Sequence, residues 1–300
     1  MGAQLRLLRR RIKSVKSTAK ITRAQELIAS SRIVKAQQRM QAAVPYEREI
    51  THAVTSVVSN TTVTDHPLTV AKEQASRAAV LIVTSDSGFC GGFNANILRE
   101  AEALGNLLRD RGVEPVPYVT GRKGVAWHTF RNREMGGQWT GFSRKPAYSD
   151  AKAIAGTLIE AFSDDDGVDE IHIVSTEFVS MLTQEVVVKR ILPLEVEESV
   201  EEASDTPLPY FEFEPNAGEV LDTLLPRYVE SRIFSALLQS AASEEASRRR
   251  AMKSATDNAN ELIRVFTQQM NQVRQAEITQ EISEIVGGAN ALADSAAGKE

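Results

Sequence analysis

The sequence predicts an α/β protein: a long antiparallel coiled coil built from its two ends, and a mainly parallel α/β domain between them. Three observations predict this. All prolines lie in the middle, none before Pro45 and none after Pro226, so both ends are free to form long helices. At each end apolar residues recur at alternating steps of three and four, the period of a narrow coiled-coil seam. In the middle, apolar β-rich runs alternate with helical segments, the pattern of a mainly parallel sheet.

The elements follow in order. The N-terminal seam runs through Leu5, Leu8, Ile12, Val15, Ala19, Thr22, Glu26, Ala29, Ile33, Ala36, Met40 and Ala43, with Thr22 and Glu26 as weak points. It defines an N-terminal shaft region, residues 1–60, whose helix over about 3–58 would be on the order of 80 Å long. The central domain, 75–195, offers strands at 78–85, 115–121, 170–178 and 185–194, and helices at 92–111, about 121–134 and 149–163. Residues 196–217 read as an acidic, proline-punctuated linker; 195–214 hold eight acids and no base. The C-terminal shaft helix, 218–293, carries Met252, Ala255, Ala259, Leu262, Phe266, Gln269, Val273 and Ala276 on one seam. Ile278, Ile282, Ile285 and Ala289 continue an apolar face in shifted phase,. Gly287 and Gly288 weaken the last turns, and the tail 294–300 is expected to fray,.

Composition narrows the function classes. Of 300 residues, 42% are hydrophobic and 25% charged, enough for a soluble protein with a core, while aromatics at 6% suit long helices better than a compact globule,. No stretch approaches the ~18 to 20 apolar residues of a membrane span. A single cysteine makes no internal disulfide and points to a reducing compartment. The start, MGAQLRLLRRRIKSVKSTAK, is Arg-rich and acid-poor like a transit peptide, but its helical pattern runs on unbroken,. Residues 1–40 hold eleven Lys and Arg against one acid, Glu26, although the chain's net charge is −5. Such a basic arm suits nucleic acid, an anionic membrane or an acidic protein surface, or is simply a solvated helix face.

The chemistry-bearing candidate is SDSGFCGGFNANI, 85–97, which follows an apolar run and leads into a helix. It lacks the Lys of a phosphate loop, and Gly88, Gly91 and Gly92 do not have dinucleotide-fingerprint spacing,. His52, His66, His128 and His172 are scattered, so neither a thiol-nucleophile context for Cys90 nor a metal motif emerges,. Cys90 reads as a small packing residue. An enzyme in its own right thus lacks a site. A nucleic-acid binder lacks aromatics interleaved with its bases. A mechanical protein whose coiled coil inserts into partners fits both termini best.

Three blocks carry a specific resemblance over nearly the whole chain: RIKSVKSTAKITRAQELIASSRIVKAQQRM (11–40), TSDSGFCGGFNANI (84–97), and LLPRYVESRIFSALLQSAASEEASRRRAMKSATDNANELI (224–263) with RQAEITQEISEIVGGANAL (274–292). With them the chain resembles the gamma subunits of F-type rotary ATP synthases. The resemblance implies a Rossmann-like central domain with Asp86, Gly88, Cys90, Gly91 and Gly92 as its fold signature, Asp86 capping or bonding its own turn. It implies a central-stalk rotor with no catalytic residue, cofactor or metal. The implied partners are the alpha and beta subunits, the epsilon subunit and the c-subunit ring, at the cytoplasmic face of a bacterial plasma membrane. Arg274, Gln275, Thr279 and Glu281 match the family's R-Q-x-x-x-T-x-E pattern, which meets a beta-subunit loop, and Arg248 matches a basic position in the same polar network. Lys20 and Arg23 match the segment K-I-T-[KR]-A. Gln25 stands where the family has Met, which bears on coupling, and Phe89 replaces Leu, which is expected to alter packing only. The chloroplast form's cysteine pair is absent. A coiled-coil nucleic-acid or membrane-surface adaptor is the alternative.

Overall fold

A computed structural model of the protein describes residues 2–60, 75–164, 166–194, 214 and 216–297. The chain order is α1 (Gly2–Asn60), β1 (Arg77–Val83), α2 (Phe93–Asp110), β2 (Glu114–Thr120), α3 (Arg122–Phe130), β3 (Gly137–Trp139), α4 (Tyr148–Ser163), β4 (Glu170–Phe178), β5 (Gln184–Leu192) and α5 (Ala217–Ala297). Nearly all of the acidic stretch 196–217 lies outside the described residues. α1 and α5 are 59 and 81 residues long and run through Pro45 and Pro226 without a break.

The chain divides into two compact units, one from Ile28 to Arg250 and one made of the residues up to Leu27 with those from Ala251 onward. Both long helices are shared between the units. In the first unit the five strands take the order β3-β2-β1-β4-β5. β1, β2, β3 and β4 are parallel, and β5 returns antiparallel on β4. β1, covered on both faces, is apolar from Ala78 to Val83,, whereas β4, equally buried, mixes Ile171, Ile173 and Val174 with Glu170, His172, Ser175 and Thr176. One sheet face packs Val80, Ile82 and Val174 against Phe93, Ile97, Leu104 and Leu108 of α2. The opposite face packs Leu81, Ile171 and Ile173 against Ile154 and Leu158 of α4, Leu225 and Ile233 of α5, and Val54 and Val57 of α1.

Three residues, GQW, make β3, too few to signal a strand in the sequence. β3 pairs only with Tyr118, Val119 and Thr120 of β2. Among the described residues no strand pairs with the earlier part of β2 on that side, and that part holds Pro115 and Pro117. The Pro117 carbonyl accepts from the Gly136 N–H on the β3 side at 2.9 Å, whereas the Glu114 N–H donates to Ser76 on the β1 side. Because residues alternate between neighbours along a strand, Pro115 also faces the open side.

In the second unit, α1 and α5 pair antiparallel along one seam. Leu5, Leu8, Ile12, Ala19, Thr22 and Glu26 are buried on α1. On α5 the seam differs from the sequence expectation. Met252 and Ala259 are buried as expected and Phe266 and Val273 half-buried, but the steps between them fall on Thr256, Ile263, Met270 and Glu277. Ala255 is half-buried, whereas Leu262, Gln269 and Ala276 are exposed. Starting from Met252, a step of four then three satisfies the heptad as well as three then four; residue type favours the wrong member at Ala255 and Ala276, does not separate Leu262 from Ile263, and favours Met270 over Gln269. Thr22 and Thr256 hydroxyls hydrogen-bond across the seam at 2.7 Å, and the Arg11 guanidinium lies 6.0 Å from the Phe266 ring centre.

Candidate functional site

The turn after β1 is built from polar side chains tied to other elements. Asp86 does not bond its own turn. Its carboxylate accepts from the N–H groups of Arg122 at 3.1 Å, Gly141 at 2.9 Å and Ser143 at 3.0 Å, joining the start of α3 to the loop after β3. Burial pushes the carboxyl's pKa up, but the Ser143, Gly141 and Arg122 donors outweigh it and hold it below the usual value,. The Asn94 side chain accepts from the Ser85 N–H at 2.9 Å and donates to the Cys90 sulfur at 3.3 Å. Cys90 is buried, and desolvation raises its thiol pKa. That is opposite to what a nucleophile needs.

Of the glycines, Gly91 takes a left-handed φ of 58°, while Gly92 caps α2 with φ −79° and Gly88 packs beside Lys123. The second left-handed residue of the turn is Phe89, φ 60°. Its side chain is 80% exposed and so packs against little within the chain.

The crevice at the carboxyl ends of the strands, where open α/β sheets take ligands, is closed by the chain itself. Leu237, Ser240 and Glu244 of α5 line it with Thr84, Asp86 and Gly121, leaving a cavity of about 10 Å³, room for one water at most,. Arg248 completes the closure. Its guanidinium donates to the Ser87 carbonyl at 3.3 Å and the Gly88 carbonyl at 3.4 Å. It also binds Glu244 and, at 2.7 Å, Glu245. Arg248 is 2% exposed, so it sits in an internal cluster and not on the partner-facing surface expected of it. Burial lowers the Arg248 pKa, but the two carboxylates overcome this and raise it; Glu244 is pushed up, chiefly by desolvation. Arg144 approaches Glu245 at 3.3 Å, and Arg32 of α1 approaches it at 3.8 Å. In sequence, SEEASRRR reads as a solvated helix face. Nothing in it signals that 241–246 are buried all round.

The remaining predicted contact residues are on the surface. Lys20 and Gln25 are exposed, and Arg23, also exposed, pairs with Glu26 at 2.8 Å. Arg274, Gln275, Thr279 and Glu281 are all exposed on α5, where the Thr279 hydroxyl donates to the Gln275 carbonyl at 3.0 Å. Among and beyond them Ile278, Ile282, Ile285 and Val286 are 45% to 71% exposed. Among the described residues no group of three or more His, Cys, Asp or Glu could hold a metal, and no helix is long and apolar enough to cross a membrane.

A family model described as ATP synthase matches residues 4–292. An ATP synthase gamma chain of Acidothermus cellulolyticus is 62% identical over 295 residues, covering 97% of this chain and 98% of that one. This chain belongs to the ATP synthase gamma chain family. The gamma chain of Thermobifida fusca is 57% identical over 306 residues, with complete coverage of both. The fold is shared with chains of the Euglena gracilis mitochondrial ATP synthase (TM-score 0.66, 14% identity, 97% of this chain and 95% of that one). A chain from the central stalk and c-ring structure of the Tetrahymena thermophila mitochondrial enzyme shares it too (TM-score 0.58, 20% identity, 78% and 99%). As a gamma chain, the protein is the non-catalytic rotor subunit of an F-type ATP synthase, and the nucleic-acid or membrane adaptor reading finds no support.

Proposed function

We propose that the outer helix pair enters the hexamer of alpha and beta subunits and that Arg274, Gln275, Thr279 and Glu281, with Lys20 and Arg23, meet those subunits as the rotor turns. The α/β domain would sit with the epsilon subunit on the c-subunit ring, holding the protein peripherally at the cytoplasmic face of a bacterial plasma membrane. The observation that carries this reading is the state of α5 beyond Met270. Bulky apolar and charged side chains are exposed together on a helix with one thin seam, a surface that awaits neighbours,. A single asymmetric shaft presents a different face to each of three identical catalytic partners. Turning it therefore cycles their nucleotide affinities, a coupling between distant sites. Arg274 and Glu281 are seven apart and Gln275 and Thr279 four apart, so each pair shares a face,. Hydrogen bonds to charged groups are worth about 1.5 to 3 kcal/mol, enough to change a step rate about tenfold or more.

The test is ATP hydrolysis and synthesis by purified complexes carrying Arg274→Ala or Gln275→Ala, read beside a subunit gel. Turnover falls while stoichiometry stays normal. Unchanged rates in both variants and in the double variant reduce this patch to solvated surface.

A further inference from the structure

Within the unit from Ile28 to Arg250, α5 is held by more than apolar packing. Over Gln239–Arg250 it makes polar bonds to the turn after β1, the loop before α4, the end of β4 and the start of β5. The Phe178 N–H donates to Gln239 at 3.3 Å, and the Ser243 hydroxyl donates to the Thr176 carbonyl at 3.3 Å. Ser247 and Arg250 both bind Gln184 at the start of β5. Glu244 and Glu245 take Arg144 from the loop before α4, and Glu245 also faces Arg32 of α1. Arg248 takes the Ser87 and Gly88 carbonyls of the turn after β1.

These bonds encircle the helix. At about 100° per residue, Gln239, Ser243, Ser247 and Arg250 fall within about 80° of one another, Glu244 and Arg248 lie about 120° further round, and Glu245 about 80° beyond them. The distinction from apolar packing is physical. The hydrophobic effect is non-directional, and the small side chains of Ala241, Ala242 and Ala246 give little purchase against rolling. Charge-assisted hydrogen bonds are short and directional. A buried ion cluster adds little net stability, so its worth lies in fixing one arrangement, while removing one member leaves an uncompensated charge.

We propose that this polar collar is the joint through which turning force passes between the α/β domain and the helix pair, with Arg248 and Glu244 as its positioning residues. The collar keeps α5 from rolling in its seat, so a turn of the domain becomes a turn of the helix and not slippage. The proposal rests on the rotor reading above.

The experiment uses the assembled complex, with the hexamer fixed to a surface and a bead on the α/β domain at an engineered cysteine in the exposed part of α2. In a paused complex the bead's angular variance reports rotor stiffness. With Arg248→Met the variance is expected to rise about twofold as one side of the collar is lost, and with Arg248→Lys, which keeps the charge but loses the fork, by less. Arg144→Gln, at a half-exposed loop position, is expected to raise it in the same direction, and decides the matter if the Arg248 variants do not assemble. Unchanged variance in the variants that assemble overturns the joint. A wild-type bead that never rotates under ATP instead overturns the rotor reading itself.

Discussion

In the unit from Ile28 to Arg250, helices on both sheet faces leave Leu81, Ile154, Leu158 and Ile173 no more than 2% exposed. Between the outer segments of α1 and α5 the buried positions form a single line, and next to them Leu7, Ile21, Leu262, Ile278 and Ile282 are 45% to 60% exposed. The first unit surrounds its apolar side chains with its own residues. The second buries one side of each helix and leaves the other sides to solvent. Helices draw most of their stability from packing, so the first unit is expected to hold its structure alone, and the second to gain order when other subunits surround it.

The largest test of this contrast truncates one buried leucine in each unit. Leu158→Ala is expected to cost about 2 to 5 kcal/mol in urea unfolding followed by fluorescence of Trp127 and Trp139, both of which lie in the first unit. Leu8→Ala should leave that transition within about 0.5 kcal/mol of wild type, as expected for a distant, independent site. Equal effects would mean that the two units unfold as one.

Asp86→Ala sharpens the comparison inside the first unit. It orphans the N–H groups of Arg122, Gly141 and Ser143, and should cost about 1.5 to 3 kcal/mol at neutral pH. The Asp86 pKa is depressed in the fold relative to 3.8. Its contribution is therefore complete above that value and is lost as pH falls through the lower folded-state pKa. Melting temperatures of wild type and variant should accordingly differ most near pH 7 and converge below pH 3.8. A gap that persists undiminished in acid would assign the loss to packing and not to charge.

The smallest effect belongs to the outer seam. Thr22→Val removes the cross-seam hydrogen bond while the Thr256 hydroxyl keeps its bond to the Met252 carbonyl, and should loosen the helix pair by about 1 kcal/mol, whereas Thr22→Val with Thr256→Val together should be close to neutral. Amide hydrogen exchange along α1 and α5 reads this directly. It should also show the outer segments exchanging faster than β1 in the free chain, and slowing in the complex. Slow exchange throughout the free chain would remove the difference between the units.

Much of this organisation is legible in the sequence, where a periodic pattern spans many residues. The α1 seam is read position by position, since Leu5, Leu8, Ile12 and Ile33 leave one choice of face. On α5 the alanines at 255, 259 and 276 are too small to distinguish a seam from a neighbouring face, and the choice at every second step goes wrong. Asp86 is recognisable as a residue that bonds backbone, but its partners lie 36 to 57 positions away, and no local pattern encodes them. Arg248 is misread for a related reason. Its charge suggests solvent, and only the sheet edge and Arg144 reveal that Glu244, Glu245 and Arg248 are enclosed. A contact role for the exposed Arg274, Gln275, Thr279 and Glu281 is expected from family resemblance alone, because a solvated helix and one awaiting a partner have the same composition.

The bare stretch of β2 has a consequence for a chain that must wait for its partners. A sheet margin with free amide groups is a template on which another chain's strand can crystallise, and a subunit made ahead of its complex meets many such chains. Pro115 and Pro117 both point their missing amide hydrogens at that margin, so the ladder rungs a stranger would need are absent there,. The other margin, β5, carries Lys189 and Arg190, charges that deter the same approach. Among the described residues both sheet margins thereby resist strand exchange, while the helices of the outer pair keep exposed apolar side chains,.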